Sequence, residues 1–317
     1  MLCSLSLDLD DLWSYLKTHG DAGWDEYPTY LPTVVPRVLD LLAERDLRIT
    51  WFVVGRDAAD PRHRDTLAAI PAAGHEVGNH SFHHEPWLHL YSPAEIESEL
   101  ARTEDAIEAA MGVRPDGFRG PGFSFSPALL EVLARRGYRY DCSTFPTFLG
   151  PLAKRFYFAT AKGLTADERA KRGQLFGKFT EGFRRLKPYT WETPAGKLLE
   201  LPVTTLPVFK TPIHLSYLLY LAGFSRTAAR AYLRLAIGLC KTTGTEPSVL
   251  LHPLDFLGCD DTDRLSFFPA MTRPSGDKLA FVVEVFDALQ KAFEVVPMGV
   301  HATAAAAKLG LTQPVSA

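Results

Sequence analysis

Residues 75–87 read HEVGNHSFHHEPW and place three histidines, His80, His83 and His84, within five positions. His80 and His84 are four apart, a spacing that brings two imidazoles to one side of a single helical turn. Neutral imidazole is a common ligand for zinc and other divalent ions, so this pair is a candidate metal site. A second source of ligands lies near the N-terminus, where the run LDLDD closes an apolar segment with Asp8, Asp10 and Asp11. Acids in that position are costly unless something uses them. A metal can take one as an oxygen ligand and leave its neighbour as a base; the other reading is a helix cap whose acids answer the helix dipole.

Three more points carry chemistry. In FRGPGFSFSP, Arg119 precedes Gly-Pro-Gly. Arginine is rarely buried without a partner, so Arg119 is expected to pair with and orient a carboxylate, Asp141 or Asp10. Backbone near Gly122 is free to approach a ligand closely. Asp141, in YRYDCS, serves either as a turn cap or in the site. His252 emerges from the apolar run of SVLLHPLDF, where it could donate a proton to a leaving group. Metal, base, oxyanion support and acid make up the equipment of metal-assisted hydrolysis of an amide or ester.

These side chains need a frame that brings them together. Residues 2–9 alternate serine and leucine and read as a strand. Further strands are expected at 47–55, 75–79, 117–119, 138–142, 198–203, 248–251 and 293–296. Helices fit 34–45, 61–73, 92–111, 126–137, 228–239 and 277–291, with Ser92-Pro93-Ala94-Glu95 supplying a capping box. Strands alternating with helices imply a parallel sheet. With seven or eight repeats and no Gly-rich phosphate loop, the α/β class narrows to a barrel, whose strand ends share one face. Residues 150–197, rich in Lys, Arg and aromatics, break the rhythm. They read as an insertion at the barrel mouth, either a solvated excursion or a contact for an anionic or lipid-linked substrate. Residues 211–224 are apolar beside Arg226 and Arg230 and read as a barrel helix or an interfacial one.

Composition narrows the partners. Of 317 residues, 46% are hydrophobic and 22% charged, which excludes a disordered or fibrous chain. A net charge of −3 points away from nucleic acid. No apolar run reaches the roughly 20 residues that a bilayer requires. The opening MLCSLSLDLDDLW has no basic leader, so a cytoplasmic location is expected. Cys3, Cys142, Cys240 and Cys259 form no CxxC pair and read as reduced thiols.

In this order the residues resemble the NodB-homology polysaccharide deacetylases, through five motifs over most of residues 2–300. The resemblance implies a distorted (β/α)7 barrel, a single domain over 1–310 with the insertion near 150–197 and a 311–317 tail. It implies Asp10 as base, with Asp8 competing for that role, and Asp11, His80 and His84 as metal ligands. Arg119 would orient the base, a backbone N–H among Pro121, Gly122 and Phe123 would face the oxyanion, Asp141 would hold the arginine, and His252 would be the general acid. The chain departs from the family pattern at Leu12, where glycine is usual, and in lacking the tryptophan of the fourth motif. FRGPGFSFS, YDCSTFP and LLHPLDF are most similar to exosortase-associated deacetylases and to enzymes that deacetylate or deformylate lipid-linked amino sugars.

The implied activity is hydrolysis of a carbon–nitrogen amide bond, removing acetyl or formyl from an amino sugar of a polysaccharide or lipid-linked glycan. Zinc is the expected ion, with cobalt, nickel and manganese as alternatives, and peripheral contact with the inner membrane surface is an alternative to a wholly cytoplasmic location. An allantoinase-type C–N hydrolase and a non-catalytic carbohydrate-binding protein on the same barrel are the other readings.

Overall fold

The computed structural model describes residues 1–152, 155 and 179–311. Lys154, Phe156, Tyr157 and Phe158, and with them most of the expected insertion, lie outside the described residues. The first strand, β1 (Leu2–Leu9), shows why the serine–leucine alternation matters. Successive side chains of a strand point to opposite faces. Leu5, Leu7 and Leu9 pack into the main apolar core, while Ser4, Ser6 and Asp8 are buried on the other face.

The remaining strands are β2 (Thr50–Val53), β3 (Glu76–Asn79), β4 (Gly117–Phe118), β5 (Tyr140–Asp141), β6 (Tyr189–Thr193), β7 (Gly196–Glu200), β8 (Ser248–Leu251) and β9 (Glu294–Val296). Among the described residues they form one sheet in the order β6-β7-β5-β4-β3-β2-β1-β8, with β9 also on β1. Every pairing is parallel except the β6–β7 hairpin. Main-chain bonds from the segment after β7 carry the sheet round to β8: Leu201 N donates to Asp141 O at 2.8 Å, Val203 N to Thr144 O at 2.9 Å and Thr204 N to Ser248 O at 2.9 Å. The architecture is the expected α/β barrel, distorted because β4 and β5 are only two residues long and closure relies on these few bonds.

The helices form where caps and periodicity predict them. Ser92 caps Pro93–Met111, accepting from Glu95 N while the Glu95 side chain returns to the Ser92 backbone. Ser126 caps Pro127–Arg135 and Ser225 caps Arg226–Thr243. A separate apolar cluster packs Phe52, Tyr140, Cys142, Leu199 and Leu201 with Met298, Ala302, Ala305 and Ala306 of the helix Met298–Lys308. That helix is docked by its N-terminus, with Met298 N on Thr50 Oγ1 and Gly299 N on Glu76 Oε2.

One expectation changes, and one that was left open is narrowed. The hairpin β6–β7 joins the sheet, so the segment 150–197 ends in sheet rather than in loop. The apolar stretch forms Leu215–Phe224, which buries Leu215, Leu218, Leu219 and Ala222 and leaves Tyr220 and Phe224 exposed. Its basic neighbours Arg226 and Arg230 are both bonded to Glu284, at 3.1 and 2.6 Å, so this face does not present a free basic stripe. Among the described residues no helix is long and apolar enough to cross a membrane. Cys3, Cys142 and Cys240 are buried free thiols, and Cys259 is an exposed one.

Candidate active site

The parallel register sets the site. Leu7 of β1 lies beside Leu251 of β8 and Leu9 beside Val53 of β2, while Val53 lies beside Asn79 of β3 and Asn79 beside Phe118 of β4. One step beyond these positions come Asp8 and Asp10, then His80, Arg119 and His252. They leave the sheet together, at the C-terminal face of the strands.

Asp10, His80 and His84 converge. Asp10 Oδ1 lies 3.2 Å from His80 Nε2 and 2.9 Å from His84 Nε2, and all three side chains are buried. His80 Nδ1 donates to the Arg119 carbonyl at 2.7 Å, which leaves the Nε2 lone pair facing Asp10. Burial by itself would raise the Asp10 carboxyl, but the two imidazoles, His84 foremost, hold it well below the usual carboxylate range. Burial would lower the His80 ring, and the surrounding Asp8 and Asp10 carboxylates raise it instead. Asp10 Oδ1 and His84 Nε2 are buried without a well-formed hydrogen bond. One carboxylate oxygen and two imidazole nitrogens are the donor set of a divalent site with an open position, so these residues fit the implied ion.

The two histidines do not meet on a helical turn. They stand in a loop in which Ser81 and His84 take left-handed backbone, with φ of 60° and 50°. Such conformations cost energy and persist only where the surroundings enforce them. Here Asn79 Oδ1 accepts from Ser81 N, and Glu99 Oε2 accepts from Phe82 N and His83 N. His83, the third histidine of the cluster, turns away to Glu99.

The acids are displaced by one register step from the sequence expectation. Asp11 is not with the histidines: its Oδ1 accepts from Leu12 N at 2.7 Å and Tyr30 N at 3.0 Å, capping the helix Leu12–His19. Alternation explains the correction. In an extended chain Asp8 and Asp10 share a face and Asp11 falls on the other. Arg119 likewise pairs with neither Asp141 nor Asp10. Its Nη1 donates to Asp8 Oδ1 at 2.8 Å, Nε donates to the Cys142 carbonyl at 3.2 Å, and the guanidinium lies over the Phe52 ring, with no exposure to solvent.

Asp141 instead accepts from the Ser143 hydroxyl at 2.5 Å, and Ser143 Oγ accepts from Gly120 N at 2.8 Å. Burial pushes the Asp141 carboxyl up to about 6, against hydrogen bonds from Glu200 and Ser143. Glu200, one strand over, is raised well above its usual range by burial and then by the Asp141 charge. The two form a buried carboxyl pair beneath the Arg119 loop. Glu200 also accepts from Thr144 and from Trp191 Nε1.

In the loop after β4, Gly122 has φ of 58° and Phe123 has φ of 60°. A Cβ on Gly120 would sit 1.9 Å from Ser124 O, so this tight turn demands glycine there. The Phe123 and Ser124 N–H groups are spent on Gly120 O and Pro121 O; the Gly122 N–H takes part in neither bond. Phe123 stacks on Phe145 with centroids 4.8 Å apart, and the His214 ring stands 5.8 Å from Phe145 and 6.2 Å from His252. Burial, with His252 beside it, pulls His214 down to about 3, so this ring is a neutral wall.

His252 is held from two sides. Its Nδ1 bonds the Ser216 hydroxyl at 3.1 Å, and its backbone N–H donates to Asp255 Oδ2 at 2.8 Å. Ser216, Asp255, Ser143, Glu200 and His214 escaped the sequence reading. Only Asp255 carried a signal, three residues after His252 as in a capping box.

Residues 21–140 match the family model described as polysaccharide deacetylase. Relatives include a peptidoglycan deacetylase of Helicobacter pylori, 32% identical over 147 residues, or 45% of this chain and 49% of that one. A chitin deacetylase of Colletotrichum lindemuthianum is 33% identical over 33% of this chain and 44% of its own. The chain thus matches about half the length of these curated relatives. Among solved structures, a candidate polysaccharide deacetylase from Mycobacterium smegmatis superposes with a TM-score of 0.63 at 21% identity, covering 100% of this chain and 93% of the other. An allantoinase superposes with 0.58 at 18% identity, covering 98% and 92%. At these identities the structural matches speak to the fold.

Proposed function

We propose that this chain, whose residues 21–140 match the polysaccharide deacetylase model and which is 32% identical over 147 residues to a peptidoglycan deacetylase, is a metal-dependent hydrolase that removes the N-acetyl group from an amino sugar of a glycan. The observation that carries this reading is the convergence of Asp10, His80 and His84 beside an Asp8 pinned by Arg119. The names of the relatives, which act on peptidoglycan and chitin, support acetyl and a saccharide.

Asp10, His80 and His84 would hold the ion, zinc by its donor set. Such an ion supplies Lewis-acid polarisation of the acyl carbonyl and of the attacking water. Asp8 takes the proton from that water. Its carboxylate is fixed by Arg119, whose Nη1 holds Asp8 while its Nε holds the Cys142 carbonyl. The base role that the family resemblance gave to Asp10 therefore moves to Asp8, and the ligand role given to Asp11 moves to Asp10. The Gly122 N–H is the donor for the developing oxyanion. His252 gives a proton to the departing nitrogen through Nε2, while Ser216 holds the ring at Nδ1 and Asp255 holds the backbone N–H. Phe123, Phe145 and His214 line one side with flat apolar surface suited to the C–H face of a pyranose.

The test offers zinc-loaded protein soluble N-acetyl oligosaccharides, nucleotide sugars and lipid-linked sugars, with acetyl and formyl forms of each, and follows mass loss. Deacylation that disappears in Asp8→Asn is expected. Failure of the wild-type protein on all three classes would sink the reading, and activity on the lipid-linked arm alone would define the finer substrate.

A further inference from the structure

A second convergence of ligand atoms lies next to the first, and the activity described above does not use it. Asp11, Asp57 and His63 are each buried, and one potential ligand atom from each lies within 4.8 Å of the others. They arrive from three places: Asp11 from the end of β1, Asp57 from the helical turn Gly55–Ala58 after β2, and His63 from the short 3-10 segment Pro61–His63.

Each side chain is already oriented by its far atom. Asp11 Oδ1 takes the N–H groups of Leu12 and Tyr30. Asp57 Oδ1 takes Trp13 Nε1 at 2.7 Å. His63 Nδ1 lies 3.2 Å from the Asp57 carbonyl, which can only accept, so the proton sits on Nδ1 and Nε2 keeps its lone pair. The near atoms, Asp11 Oδ2, Asp57 Oδ2 and His63 Nε2, are buried and have no hydrogen-bond partner. A histidine that donates one N–H to a backbone carbonyl and turns the other nitrogen toward carboxylates has the habit of a metal ligand.

Three acceptors face one another. One shared proton on Asp57 can serve Asp11 Oδ2 or His63 Nε2 but not both, and the Thr29 hydroxyl that bonds the Asp11 carboxylate still leaves Asp11 Oδ2 without a partner. Arg62 is engaged with Asp60 at 2.8 Å, and Arg56 lies over the Tyr27 ring. A single divalent cation satisfies all three atoms at once, its charge matched by two carboxylates. We infer that Asp11, Asp57 and His63 form a second divalent-cation site, of the zinc or manganese type by its mixed oxygen and nitrogen donors. The ion would tie the end of β1 to the loop after β2 and so steady Asp10, one residue away.

The experiment strips the full-length protein with chelator, reloads it with Zn2+ or Mn2+, removes free ion, and counts bound ion by elemental mass spectrometry. Wild type should hold two ions per chain. Asp10→Asn and His84→Gln should each keep one, and their melting temperature should still rise when the ion is added. His63→Gln and Asp57→Asn should each lose one ion while remaining folded by circular dichroism. Asp10→Asn combined with His63→Gln should hold none. A wild type that binds one ion and an Asp10→Asn protein that binds none would overturn the second site while leaving the first intact; the buried cluster would then be held by protons alone. A single ion that survives Asp10→Asn but not His63→Gln would uphold the second site and overturn the first.

Discussion

Arg119 Nη1 meets Asp8 Oδ1 at 2.8 Å, across 111 positions of sequence, with the arginine wholly out of solvent. This pair, more than the histidines, decides which acid is which. A buried guanidinium that bonds Asp8 through Nη1 leaves Asp10 to the two imidazoles, and Asp11, one step further along an extended chain, to the helix cap.

That division separates two isosteric changes. Asp8→Asn should keep the bound ion and lose about 10²–10⁴-fold in kcat, the usual worth of a positioned base. Asp10→Asn should lose the ion of the first site together with the activity. Ion content per chain, measured beside kcat for each variant, checks both. If Asp8→Asn retained full rate while Asp10→Asn kept its ion, the roles would revert to those the family resemblance gave.

Arg119→Lys should not rescue. Lysine can reach Asp8, but it cannot also hold the Cys142 carbonyl, and it lacks the flat face that lies on Phe52. Misplacing a base by about 1 Å costs on the order of 10²-fold. The loss should fall on kcat with KM little changed, which steady-state kinetics resolve. A KM effect alone would mean that Arg119 binds substrate rather than positions the base.

Much of this frame was legible in the sequence because it rests on local rules. The Ser–Leu alternation of β1, the capping box at Ser92 and the apolar run of β8 each follow from one segment's own chemistry, and the structure returns them with nearly the expected ends. What escaped depends on contacts between distant segments. Glu200 meets Asp141 only because β7 lies beside β5. Ser216 meets His252 only because the helix Leu215–Phe224 packs over the end of β8. The placement of the acids escaped for a different reason. The adjacent pair Asp10-Asp11 drew attention as a motif, whereas the strand period of two, already visible in the serines and leucines, selects Asp8 and Asp10.

The Asp141–Glu200 pair should leave a mark on stability against pH. Burial raises the folded-state Asp141 carboxyl to about 6, and that of Glu200 well above its usual range. Between the ordinary carboxylate range near 4 and about 6, the folded state therefore holds more protons than the unfolded one, and stability falls as pH rises through that window. In Asp141→Asn the amide oxygen can keep the Ser143 bond while the amide N–H₂ faces Glu200 in place of the unpartnered Oδ2. The variant should gain on wild type as pH rises from 4 to 7, by roughly 2–3 kcal/mol for a shift of about two units. Melting temperatures across that range check it, and parallel curves for the two proteins would show that the pair does not hold an extra proton.

His252 should matter in proportion to how badly the leaving group needs a proton. The ring leaves β8 level with Asp8 on the neighbouring strand, and Ser216 holds its Nδ1, so Nε2 is the atom that can reach a departing nitrogen. A positioned imidazole typically contributes about 10²–10⁴-fold to such a step. His252→Ala should keep the ion and lose most of the rate on an N-acetyl sugar. It should lose far less on an activated acetate ester, whose leaving group departs without protonation. Ser216→Ala, which frees the ring without removing it, should fall between the two on the amide and leave the ester rate unchanged. The comparison is made on both substrates with all three proteins and with ion content measured throughout. Equal losses on amide and ester would mean that His252 does something other than protonate the leaving group, and loss of the ion from His252→Ala would make it a part of the metal site instead.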